Sequence, residues 1–341
     1  MSTSITYLPG TIFLPFQEVN ADLKINTRTQ FSKRSSFSEI LLQELRERFG
    51  ASTQNLIEYG ELLYLPDFTF SSEEKRIPYF ARCIFYKPFK LTFDSINEAS
   101  CALKEIQRNW APYQFKCFRR AALIQEKLPY INLKAKKFPF VIPDSPMGIY
   151  TLIDEHTLLA SSLTQTSLPA GKIELIEDHE NPPSRAYLKL EEALVMANYF
   201  FKISLPSQES FCFDAGACPG GWTWVLTNLG SKVFAVDRAP LAEELMKNPL
   251  VKFLKHDAFT LLPDDSQKFD YLFSDVICYP QKLYEWIQTW IKSGNVHNFI
   301  CTIKMQGSID WKTAELFESI PNSKVVHLNY NKHELTWIHA E

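Results

Sequence analysis

Residues 213–226 read FDAGACPGGWTWVL. The chain has 11 glycines in 341 residues, and three of them, with a proline, fall within the six positions 216–221. Glycine loses more conformational freedom on folding than any other residue, so such a cluster marks backbone that must turn tightly or be approached closely. Before it, Ser210-Phe-Cys-Phe-Asp214 reads as a short buried strand, and after it Trp222 to Leu229 reads as a helix. A strand that ends in Asp and turns through glycines into a helix is a common seat for a nucleotide-like ligand.

On both sides of this stretch strands and helices alternate. The pattern predicts helices at 185–203, 221–229, 240–247, 281–292 and 311–319. Strands are expected at 210–214, 232–237, 251–255, 269–275, 298–304, 324–330 and 334–340. Such alternation implies a parallel, doubly wound sheet. A tight turn at Asn331-Lys332 between the last two strands would make one of them antiparallel.

The glycine turn, Gly216-Ala-Cys218-Pro219-Gly220-Gly221, is not the GxGxxG of dinucleotide sites. Pro219 fixes its own φ, and the two glycines after it would let backbone lie against a flat ligand, with Trp222 next in line. Asp214, Asp237, Asp257 and Asp275 each end or follow a strand and would line one sheet edge. Asp237 is placed for a ribose hydroxyl pair and Asp257 for an adenine amino group. An acidic rim repels pyrophosphate but accepts a sulfonium that carries an ammonium group. The residues therefore favour S-adenosylmethionine over a nicotinamide dinucleotide. For any single Asp the plain alternative is a turn or cap residue.

A second set is scattered in sequence but gathers at the same edge: Lys189, Asp275, Lys304 and Glu334. A lone lysine at a strand end is usually a solvated terminus. Two lysines and two acids at one edge are harder to dismiss, because a lysine among apolar walls and a second cation can serve as a base.

The first half is less regular. Residues 1–35 read as polar and irregular. Ser36-x-x-Glu39 is a capping box for a helix to about Phe49, LIEYGELLYL reads as a hairpin, and Ser95 caps a helix to about Gln107. From Phe115 to Lys137 the chain is basic, and Arg119, Arg120, Lys136 and Lys137 are candidates for RNA phosphates against the plainer reading of a solvated face. The domain reading is an α+β lobe at 1–80, a second region at 81–165, a linker at 166–184 and the α/β domain at 185–341.

Composition sets limits. A formal charge of −3 gives no global signal for nucleic acid, so any basic surface must be local. The seven cysteines form no CxxC pair, which argues for reduced thiols rather than a disulfide frame or zinc site. No apolar run is long enough for a membrane span, and MSTSITYLPG lacks the regions of a signal peptide. A cytoplasmic chain with no metal and no membrane contact is expected, with a monomer as the default.

The stretches PPSRAYLKLEEA, DAGACPGGWTWVL, VDRAPLAEELM, SDVICYP and KHELTWIH resemble the FtsJ-type RNA ribose methyltransferases. Within them they are most similar to the bacterial large-subunit ribosomal RNA ribose methyltransferase M family, across residues 182–341. FSEILLQELRERFGA and YFARCIF resemble, more weakly, that family's THUMP-containing region. The resemblance implies a Rossmann-like class I methyltransferase fold with a seven-stranded mixed sheet, S-adenosylmethionine as cofactor, and a cytidine of large-subunit ribosomal RNA as substrate. It also implies roles. Lys304 would be the base or steering cation for the 2′-hydroxyl, Asp275 and Glu334 would hold its charge state and orientation, and Lys189 would position the nucleotide. Competing readings are a ribose methyltransferase of another RNA such as transfer RNA, an inactive RNA-binding relative, and a small-molecule methyltransferase.

Overall fold

The computed structural model describes residues 3–17, 36–264 and 266–341. It divides into two compact units, 1–135 with 142–174, and 136–141 with 175–341.

In the first unit the strands are β1 (Ser4–Tyr7) and β2 (Thr11–Pro15), followed by helix α1 (Phe37–Phe49) and the hairpin β3 (Ile57–Tyr59) and β4 (Leu62–Leu65). Then come β5 (Ala81–Phe85), β6 (Phe89–Thr92), α2 (Ile96–Ile106), β7 (Trp110–Pro112), α3 (Phe118–Lys127), β8 (Gly148–Leu152) and β9 (Thr157–Ser161). Two sheets result, β3-β4-β2-β5 and β1-β6-β9-β8-β7. Both helix starts read from sequence are capped, Ser36 by a reciprocal box with Glu39 and Ser95 by accepting from Glu98 N.

Two expectations fail here. Residues 4–7 and 11–15 are strands, not irregular chain, and β2 is wholly buried. The five-residue run TIFLP has no polar alternation because it is buried on both faces, which hides it from a period-of-two reading. The rest of that segment, 18–35, lies outside the described residues. The boundaries also move. Ile12, Leu14, Phe85, Ile149 and Leu159 share one core, so nothing divides at 80/81. Residues 165–174 pack into the first unit rather than forming a linker. Gln165 takes Ile84 N at 2.6 Å and gives its amide to Arg82 O at 3.0 Å, and Leu168, Ala170 and Ile173 are buried.

The second unit runs α4 (Tyr187–Phe201), β10 (Phe211–Ala215), α5 (Gly221–Asn228), β11 (Lys232–Asp237), α6 (Glu243–Met246) and β12 (Val251–Lys255). It continues with β13 (Phe269–Ser274), α7 (Pro280–Ser293), β14 (Val296–Lys304), α8 (Trp311–Glu318), β15 (Ser323–Val326) and β16 (Glu334–Ala340). The sheet order is β12-β11-β10-β13-β14-β16-β15. The first five are parallel, and β16 runs antiparallel to both β14 and β15. Strands buried on both faces read as apolar runs, and Phe213, Phe269, Phe273 and Phe299 are almost fully buried.

The last connection is longer than a tight turn. Residues 327–333 leave the sheet because the buried Glu192 carboxylate takes the backbone N–H groups of Asn329 (2.8 Å) and Tyr330 (3.0 Å) and the Asn329 amide (2.8 Å).

Four carboxyls are buried among the described residues: Glu44 in the first unit, and Glu191, Glu192 and Asp214 in the second. Burial pushes each up to about 7, opposed by hydrogen bonds at Glu44, Glu192 and Asp214 and by the Arg48 charge at Glu44. Between the ordinary carboxyl range and about 7 the folded chain holds protons that the unfolded chain has released. Stability therefore falls as pH rises through that window, with each such group worth on the order of 3 kcal/mol. The melting temperature should decline from about pH 5 to about pH 8; a scanning-calorimetry series that stays flat over this interval would contradict the buried placement.

Candidate active site

β10 delivers the chain into the glycine turn, and the turn is stitched to β11, with Gly216 N and Ala217 N both donating to Val236 O at 2.8 and 3.2 Å. Gly216 has φ +81° and Gly220 φ +113°, where side chains are rarely tolerated. The close approaches that demand glycine come from the protein itself. A Cβ on Gly216 would sit 2.0 Å from Val276 Cγ2, one on Gly220 2.3 Å from Leu245 Cδ1, and one on Gly221 2.5 Å from Ser184 Oγ. Gly220 and Gly221 are thus required by close packing of the turn's own neighbours. Trp222 is likewise turned inward: it is buried, and its indole N–H donates to Ala186 O at 3.0 Å, tying α5 to the start of α4.

Asp214 does not stand on the open rim. It is buried and accepts from Thr223 Oγ1 at 2.6 Å, so it supports the turn from below. Asp237 holds the turn from the side, taking Cys218 N on Oδ2 and Ala239 N on Oδ1, both at 3.0 Å. Asp257 accepts Phe259 N at 3.0 Å and is ion-paired with Arg238, whose hydrogen bond holds its carboxyl below the usual range. These residues surround a cleft of about 180 Å³ lined by Gly216, Asp237, Arg238, Asp257, Ile277 and Lys282 among others. The edge is therefore mixed in charge rather than purely acidic. Arg238 was visible in the sequence beside Asp237; Lys282 and Ile277 carried no local signal, because only the fold brings the start of α7 to the cleft.

The four scattered charged residues do meet. Lys189 lies on the first turn of α4, Asp275 directly follows β13, Lys304 ends β14 and Glu334 begins β16. The antiparallel register sets Lys304 opposite Glu334. Lys189 Nζ donates to Asp275 Oδ2 at 2.7 Å and to Glu334 Oε1 at 3.3 Å. Lys304 Nζ lies 2.5 Å from Asp275 Oδ1, an ion pair. All four side chains are largely shielded, at 12–19% exposure. For Lys189 burial works against its charge, but Asp275 and Glu334 outweigh it and hold the ammonium above its ordinary value. For Asp275 burial opposes ionisation, and the two lysines overcome it and hold the carboxyl below its ordinary value. Lys189 is thus a fixed cation, and Asp275 a fixed anion with one oxygen facing each lysine.

Residues 182–307 match the model of the FtsJ-like methyltransferases. The match covers Lys189, Asp275 and Lys304 and ends before Glu334. Among curated proteins the chain is similar to Ribosomal RNA large subunit methyltransferase M of Xanthomonas axonopodis pv. citri, 32% identical over 167 residues, 48% of this chain and 47% of that protein. It is 30% identical over 203 residues to the protein of the same name from Xanthomonas oryzae pv. oryzae, 56% of this chain and 57% of that one. The chain spans about half the length of the curated relatives it matches.

The four candidate RNA contacts divide between the units. Arg119 and Arg120 lie on α3, whereas Lys136 and Lys137 lie in the segment 136–141 that belongs to the second unit. Arg119 is exposed, but Arg120 donates to Asp94 O at 3.2 Å and lies over the Phe93 ring, so it is already engaged within its own unit. Among the described residues no group of three or more His, Cys, Asp or Glu is placed to hold a metal ion, and no helix is long and apolar enough to cross a membrane.

The glycine turn offers a test by substitution. Gly216→Ala combines a positive φ with a contact against Val276 that cannot be relieved without moving the turn. It should cost on the order of 1–3 kcal/mol in a denaturant melt; an unchanged midpoint would mean that the turn is looser than the structure has it.

Proposed function

We propose that this chain is an S-adenosylmethionine-dependent RNA 2′-O-ribose methyltransferase acting on a cytidine of large-subunit ribosomal RNA. The observation that carries the reading is the closed cluster of Lys189, Asp275, Lys304 and Glu334, set directly after the strand beside the glycine turn. The names of the relatives that it matches over about half their length supply the substrate class. On this reading the second unit is a Rossmann-like class I methyltransferase domain, and the first is a THUMP-like unit that holds RNA, with Arg119 on its exposed side.

The cleft fits the cofactor. Asp237 has each oxygen occupied by one backbone N–H and keeps a lone pair on each for a ribose diol. Ile277 offers an apolar wall, and the Asp237 and Asp257 carboxylates suit a ligand with cationic centres. When bound, S-adenosylmethionine supplies an electrophilic methyl group. The chain must then align a ribose hydroxyl with it and take up the hydroxyl proton. Lys189, held charged, cannot accept that proton and instead steers the nucleotide's negative charge. Asp275 orients both ammonium groups, and Glu334 fixes Lys189 from the other side. Lys304, at the end of β14, is left as the residue that meets the hydroxyl, as base or as steering cation.

Asp237→Ala should weaken S-adenosylhomocysteine binding by about 1–3 kcal/mol, the scale of a lost charge-assisted hydrogen bond. Titration calorimetry that finds the affinity intact removes Asp237 from the site. The two roles of Lys304 separate under substitution. Lys304→Ala should abolish most of kcat on ribosomal RNA, followed with tritiated S-adenosylmethionine, at unchanged cofactor affinity. Lys304→Arg keeps charge and reach but cannot accept a proton, so an active arginine variant assigns steering and an inactive one assigns the base. Wild-type kcat in the alanine variant would sink the role of the cluster altogether.

A further inference from the structure

Between Asp275 and α7 the chain runs Val276-Ile277-Cys278-Tyr279, and its exposure alternates. Val276 lies against Gly216, and Cys278 is partly buried. Ile277 and Tyr279 are 79% and 66% exposed. Ile277 lines the cleft, and Tyr279 follows it by two positions with the same exposed character. Four residues of extended chain reach at most about 14 Å, which keeps Tyr279 close to the Asp275 cluster.

Tyr279 also breaks a local rule. It occupies the N-cap of α7, with φ −67° and ψ 141°, and gives the helix no side-chain cap. Its carbonyl accepts Leu283 N at 3.2 Å, as any residue's would. Ser, Thr, Asp or Asn at this position would satisfy an open helix N–H. Among the described residues the Tyr279 hydroxyl has no hydrogen bond and its ring no aromatic partner. Pro280 behind it restricts the backbone to the extended region, so the ring is presented on a stiff support. A large aromatic kept in water, at the cost of a cap, four residues from Asp275 and two from a residue that lines the cleft, is a feature that the folding of this unit does not explain.

We propose that Tyr279, flanked by Ile277, is the platform on which the base of the target nucleotide stacks while its ribose faces Lys304. The proposal rests on the RNA methyltransferase reading and adds the subsite for the base. Sequence-specific RNA recognition largely targets single-stranded nucleotides whose unstacked bases are held on aromatic faces, and such a base leaves its ribose free to face the reacting groups. Lys189 and Lys304 would attend the sugar and phosphate, and Tyr279 the base.

The deciding variant is Tyr279→Ser, assayed as full chain on an unmodified large-subunit ribosomal RNA transcript. Serine improves the cap, so the melting temperature should hold or rise, and S-adenosylhomocysteine affinity should be unchanged. KM for the transcript should rise about 10-fold or more, the scale of one lost base–aromatic contact. Tyr279→Trp, which keeps the aromatic face, should bring KM back towards wild type. A serine variant with wild-type KM, or a tryptophan variant no better than serine, overturns the subsite while leaving the activity in place. A wild-type chain that transfers no methyl group to the transcript overturns the activity reading and the subsite together.

Discussion

The Asp275 carboxylate offers one oxygen to Lys189 and the other to Lys304, and the geometry of the site depends on that division. Buried charges are expensive unless each has partners, and removing one member of such a set strands the rest. Here the members come from a helix, the end of one strand, the end of a second and the start of a third. The cluster can close only if α4, β13, β14 and β16 are held in one arrangement. The β14–β16 register sets Lys304 across from Glu334, and Glu192, one helical turn beyond Lys189, clamps the residues that lead into β16. The antiparallel strand is therefore part of the site's construction: it brings the fourth charge to the edge where the parallel strands end.

The glycine turn serves packing first. Val276, Leu245 and Ser184 press against the three glycines, and Val276 directly follows Asp275. The turn beside the cleft and the charged cluster are thus coupled through one side-chain contact. A residue larger than glycine at 216 would push on the segment that bears Asp275. The cleft combines carboxylates with Arg238 and Lys282, so its lining is mixed in charge rather than of one sign.

The first unit has a different character. Its two sheets are largely antiparallel, and its helices α2 and α3 cover the five-stranded one through Leu103, Ala121 and Ile124. The basic stretch read as one patch is split by the fold, because segment 136–141 leaves this unit to pair Lys136 with Leu175 in the other. Net charge along the sequence is a poor guide to surface charge wherever the chain crosses between units.

The sequence by itself determined the alternation of elements from Tyr187 onward, because strands buried on both faces and amphipathic helices have distinct periods, and most observed elements lie within a few residues of the expected ones. α6 is the main exception, shrinking to Glu243–Met246 after Pro240. Parallel strands send their ends to one edge, which brings Asp275 and Lys304 together, whereas Lys189 comes from a helix and Glu334 from the start of an antiparallel strand. The four-residue strand at Ser4–Tyr7 and the buried one at Thr11–Pro15 were not legible, because too few residues or burial on both faces erases the period of two. Nor were the roles of Gly220, Gly221, Trp222 and Asp214, since a local stretch does not say whether its open space is taken by a ligand or by Leu245, Ser184, Ala186 and Thr223. The exposure of Ile277 and Tyr279 was likewise decided only in three dimensions. Apolar residues between a strand and a helix read as core, and only packing leaves these two in water beside the charges.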